Sequence, residues 1–157
     1  MSDAPRRLFA LCALIAVSLS LAACGSSDSK ANNDYVGEVN AIQNQVASEF
    51  RTAGSALTAT STPESFRLAL DQFDRSVTTA TTKLKAVKAP SKVKTLHAQL
   101  VGAVAGYHAT IASARTVLKA KTTTALAKAQ TTFSAGTAQS SSQITTTINA
   151  INSKLRR

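Results

Sequence analysis

Carboxylates and aromatic rings are scarce in this chain, and each scarcity argues against a class of function. The chain has 8 Asp and Glu against 18 Lys and Arg, and Asp74 is its last acidic residue. These few carboxylates are too scattered to form a hydrolytic pair or a Ser/His/Asp set. Aromatic residues make up 4% and Trp is absent, so few rings can stack on nucleic-acid bases. We therefore expect neither an enzyme nor a nucleic-acid-binding protein.

Histidine is scarce as well, with His97 and His108 the two in the chain. Eleven residues along one helix separate them by roughly 16 Å, so they cannot ligate the same metal ion. Neither histidine belongs to a Glu-x-x-His pair of the kind that builds di-iron bundles. We expect both to be surface or flanking residues, and we expect no metal and no cofactor.

Cysteine is limited to Cys12 and Cys24. Cys12 lies in an uncharged apolar run over residues 8–23, which follows Arg6 and Arg7. A basic start, an apolar run and small residues before a cleavage point are typical of an export signal. The run is shorter than the roughly 20 residues that cross a bilayer as a helix. Cys12 would leave with the signal, so no disulfide could form within one mature chain.

The apolar run ends in Leu21-Ala22-Ala23-Cys24, which a small and polar Gly-Ser-Ser follows. This stretch resembles the lipobox of bacterial lipoproteins. The resemblance implies cleavage between Ala23 and Cys24, a diacylglycerol carrying acyl chains such as palmitate on the Cys24 thiol, and a lipid anchor at the extracytoplasmic face of the cell membrane. The alternative is an ordinary signal peptide with a coincidental cysteine. The sequence Arg6-Arg7-Leu8-Phe9 also partly resembles a twin-arginine motif, and the choice between that route and the general secretory route stays open.

Three parts of the chain follow from this interpretation. Residues 1–23 form the signal peptide, residues 24–33 the lipidated cysteine and a flexible tether, and residues 34–157 a helical domain. The tether prediction depends on a polar stretch without periodicity that ends at Asn33. The mature chain carries 16 basic and 7 acidic side chains and is long enough for one compact domain.

Apolar residues recur at steps of three and four over four segments, which predicts four amphipathic helices. The first begins at Asn33 or Asp34, and the second at the capping residue Thr62 with Pro63 behind it. Ser91 is the expected cap of the third helix, and the fourth runs from about Thr124 to Leu155 with a plausible break over residues 134–142. Four helices with short connections predict an all-α, antiparallel up-down four-helix bundle. The cleanest predicted core stripe is that of the second helix: Phe66, Leu70, Phe73, Val77, Ala80, Leu84 and Val87.

Gly102 and Gly106 lie four residues apart on the third predicted helix, with Ala98 and Ala109 extending a strip of small residues. We expect this strip to cross a neighbouring helix closely. The alternative is a groove between helices for a small apolar ligand. On the second helix, Asp71 and Asp74 lie near Arg67 and Arg75, as expected for ordinary pairing along a helix. The Thr clusters at residues 122–124 and 145–147 suit a solvated face, and whether they are glycosylated stays open.

Positive charge dominates the second half of the chain, where 13 Lys and Arg follow Asp74 with no acidic residue among them. This pattern indicates an anionic partner surface, although the same residues could simply solvate helix faces. In an up-down bundle the tether, the turn between helices two and three, and the C-terminus share one end. The basic residues predicted there, as an anionic-surface site, are Lys83, Lys85, Lys88, Lys92, Lys94, Lys154, Arg156 and Arg157. A smaller cluster at the opposite end, which could face the cell wall, comprises Arg115, Lys119, Lys121 and Lys128.

Three further stretches, together with the lipobox, resemble small actinobacterial lipoproteins of unknown function. They are Asn33-Asp34-Tyr35-Val36, Leu96-His97-Ala98-Gln99-Leu100-Val101 and Ile148-Asn149-Ala150-Ile151-Asn152. The resemblance implies an anchor in the outer leaflet of a Gram-positive-type membrane, and it carries no activity and no site residues. We expect a non-enzymatic binding or scaffold module whose partner is the membrane, an anionic wall polymer or a protein. The alternative is a carrier of a small apolar ligand or lipid.

Overall fold

The computed structural model describes residues 27–55 and 61–156, and all secondary structure in these ranges is helical. The helices are α1 (Ser27–Ser55), α2 (Pro63–Ala86), α3 (Lys94–Ala105), α4 (Tyr107–Leu118) and α5 (Thr123–Leu155), with a 3₁₀ turn at Ser91–Val93 before α3. They pack as a helical bundle, and the all-α prediction is confirmed. The predicted signal peptide, Cys24 and Arg157 lie outside the described residues.

The start of α2 is the one that the sequence predicts. The Thr62 hydroxyl accepts a hydrogen bond from the Ser65 amide at 3.1 Å, and the Ser65 hydroxyl accepts one from the Thr62 amide at 2.8 Å. This reciprocal capping box satisfies backbone N–H groups that have no partner inside the helix. Pro63 occupies the first turn, where its missing N–H costs nothing. Thr122 caps α5 in a similar way by accepting from the Ala125 amide at 3.1 Å.

Helix α1 begins earlier than the sequence indicates. Its first residue is Ser27, so the predicted start at Asn33 or Asp34 is wrong and residues 27–33 are helical. Asn32 is only 8% exposed, which shows that this polar turn packs against the rest of the bundle. Lys30 Nζ also lies 2.6 Å from Asp34 Oδ2, an i,i+4 pair that stabilises a helix by a few tenths of a kcal/mol. Polar composition therefore concealed a helical turn.

The third predicted helix is divided, whereas the fourth is continuous. Ser91 does not cap an α-helix but opens the 3₁₀ turn, and α3 starts at Lys94 without a side-chain cap. The third predicted helix is interrupted at Gly106, which separates α3 from α4. Gly106 keeps right-handed helical dihedrals, so the two helices follow one another as halves of one divided arm. Gly102 and Gly106 each lower helix propensity by about 1 kcal/mol within one short stretch. Helix α5 runs unbroken through the predicted break at residues 134–142 because its packing outweighs the single Gly136.

The few aromatic rings of the domain meet in the core. Phe50 packs edge-on against Phe73 and Tyr107, with ring centroids 4.8 and 5.7 Å apart. Phe133 contacts Phe73 at 5.1 Å and Phe66 at 6.1 Å. These edge-on and tilted contacts connect α1, α2, α4 and α5, and such pairs add about 1 kcal/mol each to the burial of their area. Every residue of the predicted α2 stripe is buried.

The close approach of two helices occurs at Gly136 and not at Gly102 or Gly106. A Cβ at Gly136 would lie 2.5 Å from Thr110 Oγ1 and 2.6 Å from Thr110 Cγ2, so α4 and α5 touch there through the missing side chain. Gly102 is exposed, and a Cβ on it would meet no atom within 4 Å. Gly106 is exposed too, and the nearest atom to its Cβ would be the Ala103 carbonyl of its own helical arm. A Cβ on Gly106 would also lie 3.8 Å from Ser140 Oγ of α5, an ordinary contact distance. The predicted close crossing is therefore wrong for Gly102, and at Gly106 the approach is looser than at Gly136.

Gly136→Ala and Gly102→Ala test this assignment as a matched pair. We expect Gly136→Ala to destabilise the bundle by about 1–3 kcal/mol, because the β-branched Thr110 cannot move aside without shifting its helix. Gly102→Ala should be neutral or stabilising by up to about 1 kcal/mol, because Ala favours a helix and the site is open. Urea denaturation followed by helical circular dichroism measures both values. Equal stability of the two variants would contradict the close approach at Gly136.

Candidate functional site

The predicted basic residues at the α2–α3 connection and at the C-terminus are brought together in the fold. Lys92 Nζ donates a hydrogen bond to the Leu155 carbonyl at 3.4 Å, which places the 3₁₀ turn beside the last turn of α5. Lys154 and Arg156 flank this carbonyl in sequence and are exposed. We call this surface the basic end. Its described members, all with exposed side chains, are Lys83, Lys85, Lys88, Lys92, Lys94, Lys154 and Arg156.

Two lysines of the basic end have partners that explain their positions. Lys92 binds one of the last α5 carbonyls, which have no partner inside the helix. A cation at this position also interacts favourably with the negative end of the helix dipole. Lys83 Nζ donates to Gln45 Oε1 at 2.5 Å, a contact between α2 and α1. Gln45 in turn donates to Glu49 at 2.8 Å. Hydrogen bonds from Ser76 and Gln45, with a smaller effect of Lys83, lower the pKa of Glu49.

The other lysines of the basic end are available to an external anion. Within the described residues Lys85, Lys88, Lys94 and Lys154 form no hydrogen bond or ion pair, and their side chains are exposed. Lys85 lies in the last turn of α2, where the helix dipole favours it. Lys94 begins α3, where the dipole opposes a cation, and no internal contact compensates. These four lysines are therefore the strongest candidates for a binding role.

A buried histidine forms hydrogen bonds between the helices next to the basic end. His97 is 8% exposed, and its Nε2 lies 2.9 Å from the Leu84 carbonyl, which can only accept, so Nε2 carries a hydrogen and donates it. The Tyr35 hydroxyl lies 3.2 Å from His97 Nδ1, and in a neutral ring it donates to that nitrogen. Burial raises the pKa of Tyr35 to about 12, which keeps its hydroxyl protonated. These bonds connect the starts of α1 and α3 to the end of α2.

The prediction that His97 is a surface or flanking residue is wrong. His97 lies four residues after Val93 and three before Leu100, which are both buried. That spacing places it on the apolar face of its helix and was the available signal. His108, by contrast, is partly exposed as predicted.

A second polar cluster joins α2 to α4. Asp74 accepts from His108 Nδ1 at 2.6 Å and from Arg115 Nη1 at 3.0 Å, while Arg115 Nη2 donates to Asp71 at 2.7 Å. Partial burial acts to raise the pKa of Asp74, but the hydrogen bonds and positive charge of His108 and Arg115 outweigh it and lower the pKa. Arg67 pairs with Asp71 at 2.7 Å, which confirms this part of the predicted pairing along the helix, whereas Asp74 pairs with α4. The Arg115 side chain is 35% exposed and paired with two carboxylates of α2, so it is not a free charge of the predicted outward-facing cluster.

The far cluster comprises the three remaining lysines at the other end of α4 and α5: Lys119, Lys121 and Lys128. All three have exposed side chains, and none forms a hydrogen bond or ion pair through its side chain within the described residues. Lys121 adopts a positive φ of 52°, the left-handed conformation that glycine and asparagine tolerate best. For a lysine this conformation costs about 1 kcal/mol. Lys121 thus occupies a backbone conformation in which a glycine would be less strained.

An apolar cleft within the described residues is lined by side chains from all five helices. It offers about 30 Å³ of space, and its lining includes Val46, Phe50, Leu100 and Ile144. Gln43 lies at this cleft with its side-chain nitrogen buried and without a partner. Neither Gly102 nor Gly106 lines the cleft. The space is roughly a tenth of the smallest pockets that hold drug-sized ligands, which begin at about 300 Å³.

The described residues contain no group of three His, Cys, Asp or Glu side chains placed to hold a metal ion. None of the helices in the described ranges is both long and apolar enough to cross a membrane. Comparison of the chain with protein-family models, with curated proteins and with solved structures gave no significant match.

The Asp74 cluster makes the free energy of unfolding of the bundle decrease at acidic pH. Because the pKa of Asp74 is lowered in the fold, its contribution is present above the ordinary carboxyl pKa of about 4 and is lost as the pH falls through the folded value. We expect Asp74→Asn to cost about 1–2 kcal/mol at pH 7 and progressively less towards pH 3. Thermal denaturation from pH 7 to pH 3 measures this convergence. Asp34→Asn, which removes an exposed pair, is the control and should leave the wild-type pH dependence unchanged.

Proposed function

We propose that the chain is a lipid-anchored protein of the extracytoplasmic membrane face that acts without catalysis, as a binding and scaffold module. Its basic end contacts the anionic head groups of the membrane that holds the anchor. The observation that carries the proposal is the convergence of four exposed, unpartnered lysines on one end of the bundle. The lipobox at Cys24 and the resemblance to small actinobacterial lipoproteins supply the anchor and the setting.

An antiparallel up-down arrangement is part of this proposal. Three sets of contacts support it. In the first, His97 at the start of α3 contacts both Tyr35 near the start of α1 and Leu84 near the end of α2. Asp74 in the middle of α2 meets His108 in the second half of the divided arm. Lys92, just before α3, meets Leu155 at the end of α5. In this arrangement the start of α1, and with it the anchor, lies at the basic end.

The connection between anchor and bundle is short. The described part of α1 begins at Ser27, so at most Gly25 and Ser26 lie between the helix and Cys24. Three residue steps span at most about 10 Å, even when fully extended. Charges on exposed groups are screened over about 8 Å at physiological salt. A connection of this length therefore keeps the basic end within electrostatic reach of the head groups, which a nine-residue flexible tether would not ensure.

The energetics suit a two-signal attachment. Each basic side chain near an anionic membrane surface contributes about 1 kcal/mol. Lys85, Lys88, Lys94 and Lys154 together would add about 4 kcal/mol to the binding of the acyl chains. Stable anchoring commonly combines acyl chains with such a polybasic patch.

The size of the apolar cleft favours a scaffold over a carrier. About 30 Å³ admits one or two water-sized groups and not an acyl chain or a drug-sized ligand. The described surface also has one exposed large hydrophobic residue, Leu68 at 54%, so it offers no apolar patch for a tight protein partner. Polar and electrostatic contacts are what this surface can form.

Charge removal at the basic end tests the membrane contact. The variant replaces Lys85, Lys88, Lys94 and Lys154 by Gln in a chain that also carries Cys24→Ser. We expect it to bind phosphatidylglycerol vesicles at least about tenfold more weakly at low salt than the Cys24→Ser chain with the four lysines intact. Co-sedimentation with these vesicles and with phosphatidylcholine vesicles measures the difference. The control removes four charges elsewhere, by Arg51, Lys119, Lys121 and Lys128→Gln, and should retain most binding. Equal losses in the two variants would show that net charge alone attracts the chain.

Replacement of Cys24 by Ser tests the anchor in cells. The thiol is the proposed site of lipid attachment, so Cys24→Ser should move the protein out of the detergent-extractable membrane fraction. The residual membrane association should then be released by salt, since it would depend on the basic end alone. Membrane fractionation with salt and detergent washes measures both effects. A Cys24→Ser protein that still needs detergent for release would contradict the lipid anchor.

A further inference from the structure

Exposed positive charge on α3, α4 and α5 is confined to the two ends of the bundle. Between Lys94 and Arg115 on α3 and α4, the exposed side chains are Ala, Gly, Ser, Thr and Gln. Between Lys128 and Lys154 on α5 they are Ala, Ser, Thr, Gln and Asn. No acidic residue occurs in these helices. On the face formed by α3, α4 and α5, the far cluster and the basic end are therefore two separate cationic surfaces with an uncharged surface between them.

The two surfaces are far apart relative to electrostatic screening. Lys128 and Lys154 are 26 residues apart on one unbroken helix, which corresponds to about 39 Å at a rise of 1.5 Å per residue. This distance is several times the screening length of about 8 Å at physiological salt. An anion bound at one end therefore leaves the charges at the other end unneutralised.

This separation argues against one densely charged polymer lying along the face formed by α3, α4 and α5. Duplex DNA carries one charge per 1.7 Å or so, and most of its charges over this length would face a surface without cations. A second copy of the chain is also unfavourable. Packing two uncharged surfaces together would bring a cationic end of one copy onto a cationic end of the other, whether the copies run parallel or antiparallel. Two separate anionic partners, one at each end, fit the charge pattern.

The far cluster has features that bundle stability does not explain. The nearest acidic residue with an interaction there is Glu64, whose pKa is lowered mainly by its hydrogen bond with Arg67 and, to a smaller extent, by Lys121. Glu64 is already paired with Arg67 at 2.6 Å, so Lys119, Lys121 and Lys128 keep an excess of positive charge. Lys121 is also held in a conformation that glycine would adopt with less strain.

We propose that Lys119, Lys121 and Lys128 bind a phosphate-bearing polymer of the cell envelope, so that the bundle spans about 40 Å between this polymer and the membrane. Phosphate oxygens suit exposed lysines, which bind them as point charges without demanding fixed geometry. The membrane side and the location of the polymer in the envelope rest on the proposed function, whereas binding of phosphate groups by the far cluster does not depend on it.

Vesicle capture tests the spanning arrangement. The full lipidated chain is reconstituted in phosphatidylglycerol vesicles, which occupy the basic end, and capture of fluorescent poly(glycerol phosphate) is measured per bound protein. We expect Lys119, Lys121 and Lys128→Gln to reduce capture more than tenfold at low salt. The matched variant Lys85, Lys88 and Lys154→Gln removes the same charge and should retain capture within about threefold. Equal losses in the two variants, or no capture by the wild type, would overturn the proposal.

A second measurement separates this proposal from the membrane proposal. In neutral detergent, without vesicles, the purified full chain should bind two short poly(glycerol phosphate) oligomers, and the far-cluster variant should bind one. This result can hold even if the chain fails to attach to vesicles, which would count against the anchor alone. A stoichiometry unchanged by the far-cluster variant would overturn the second site. Lys121→Gly adds a control for folding, because it should weaken far-cluster binding while thermal stability stays equal or rises.

Discussion

The hydrogen bond from His97 to the Leu84 carbonyl determines much of the arrangement at the basic end. It joins the first turns of α3 to the last turns of α2, and Tyr35 extends the connection to α1. The connection between α2 and α3 is therefore held at both sides, and its lysines project from a rigid base. Because the histidine is buried, loss of its partners would leave polar groups without hydrogen bonds, which costs about 1–3 kcal/mol for each group.

The acidic residues of the bundle explain why so many lysines stay unpaired. Asp71 and Asp74 bind His108 and Arg115 of α4, which joins the two helices, and Asp71 also pairs with Arg67 of its own helix. Planar guanidinium groups suit such bidentate and bridging contacts better than ammonium groups. Arg67 and Arg115 thus occupy the oxygens of these two carboxylates. The lysines, with flexible and strongly hydrated ends, are left at the two ends of the bundle.

The hydrophobic pattern was sufficient to predict the all-α class and the core of α2, and Thr62 followed by Pro63 was sufficient to predict the cap of α2, because burial and capping depend on local spacing. Three features were not predictable in this way. The early start of α1 depends on burial of Asn32 by tertiary packing, and the break at Gly106 depends on a balance between two glycines and their neighbours. The role of Arg115 depends on which helix faces Asp71 and Asp74. The basic end was predictable as a set of residues, but which of its lysines have partners depends on contacts between helices that are distant in sequence.

The early start of α1 has a mechanical consequence for a chain anchored at Cys24. A flexible tether would absorb movement of the domain as slack, but two residues before a helix of 29 residues leave almost none. Force applied at the far cluster would pass along the packed helices to the first turn of α1 and from there to the lipid. A lateral force on such a protein would change the tilt of the bundle relative to the membrane and leave the distance between bundle and membrane nearly constant.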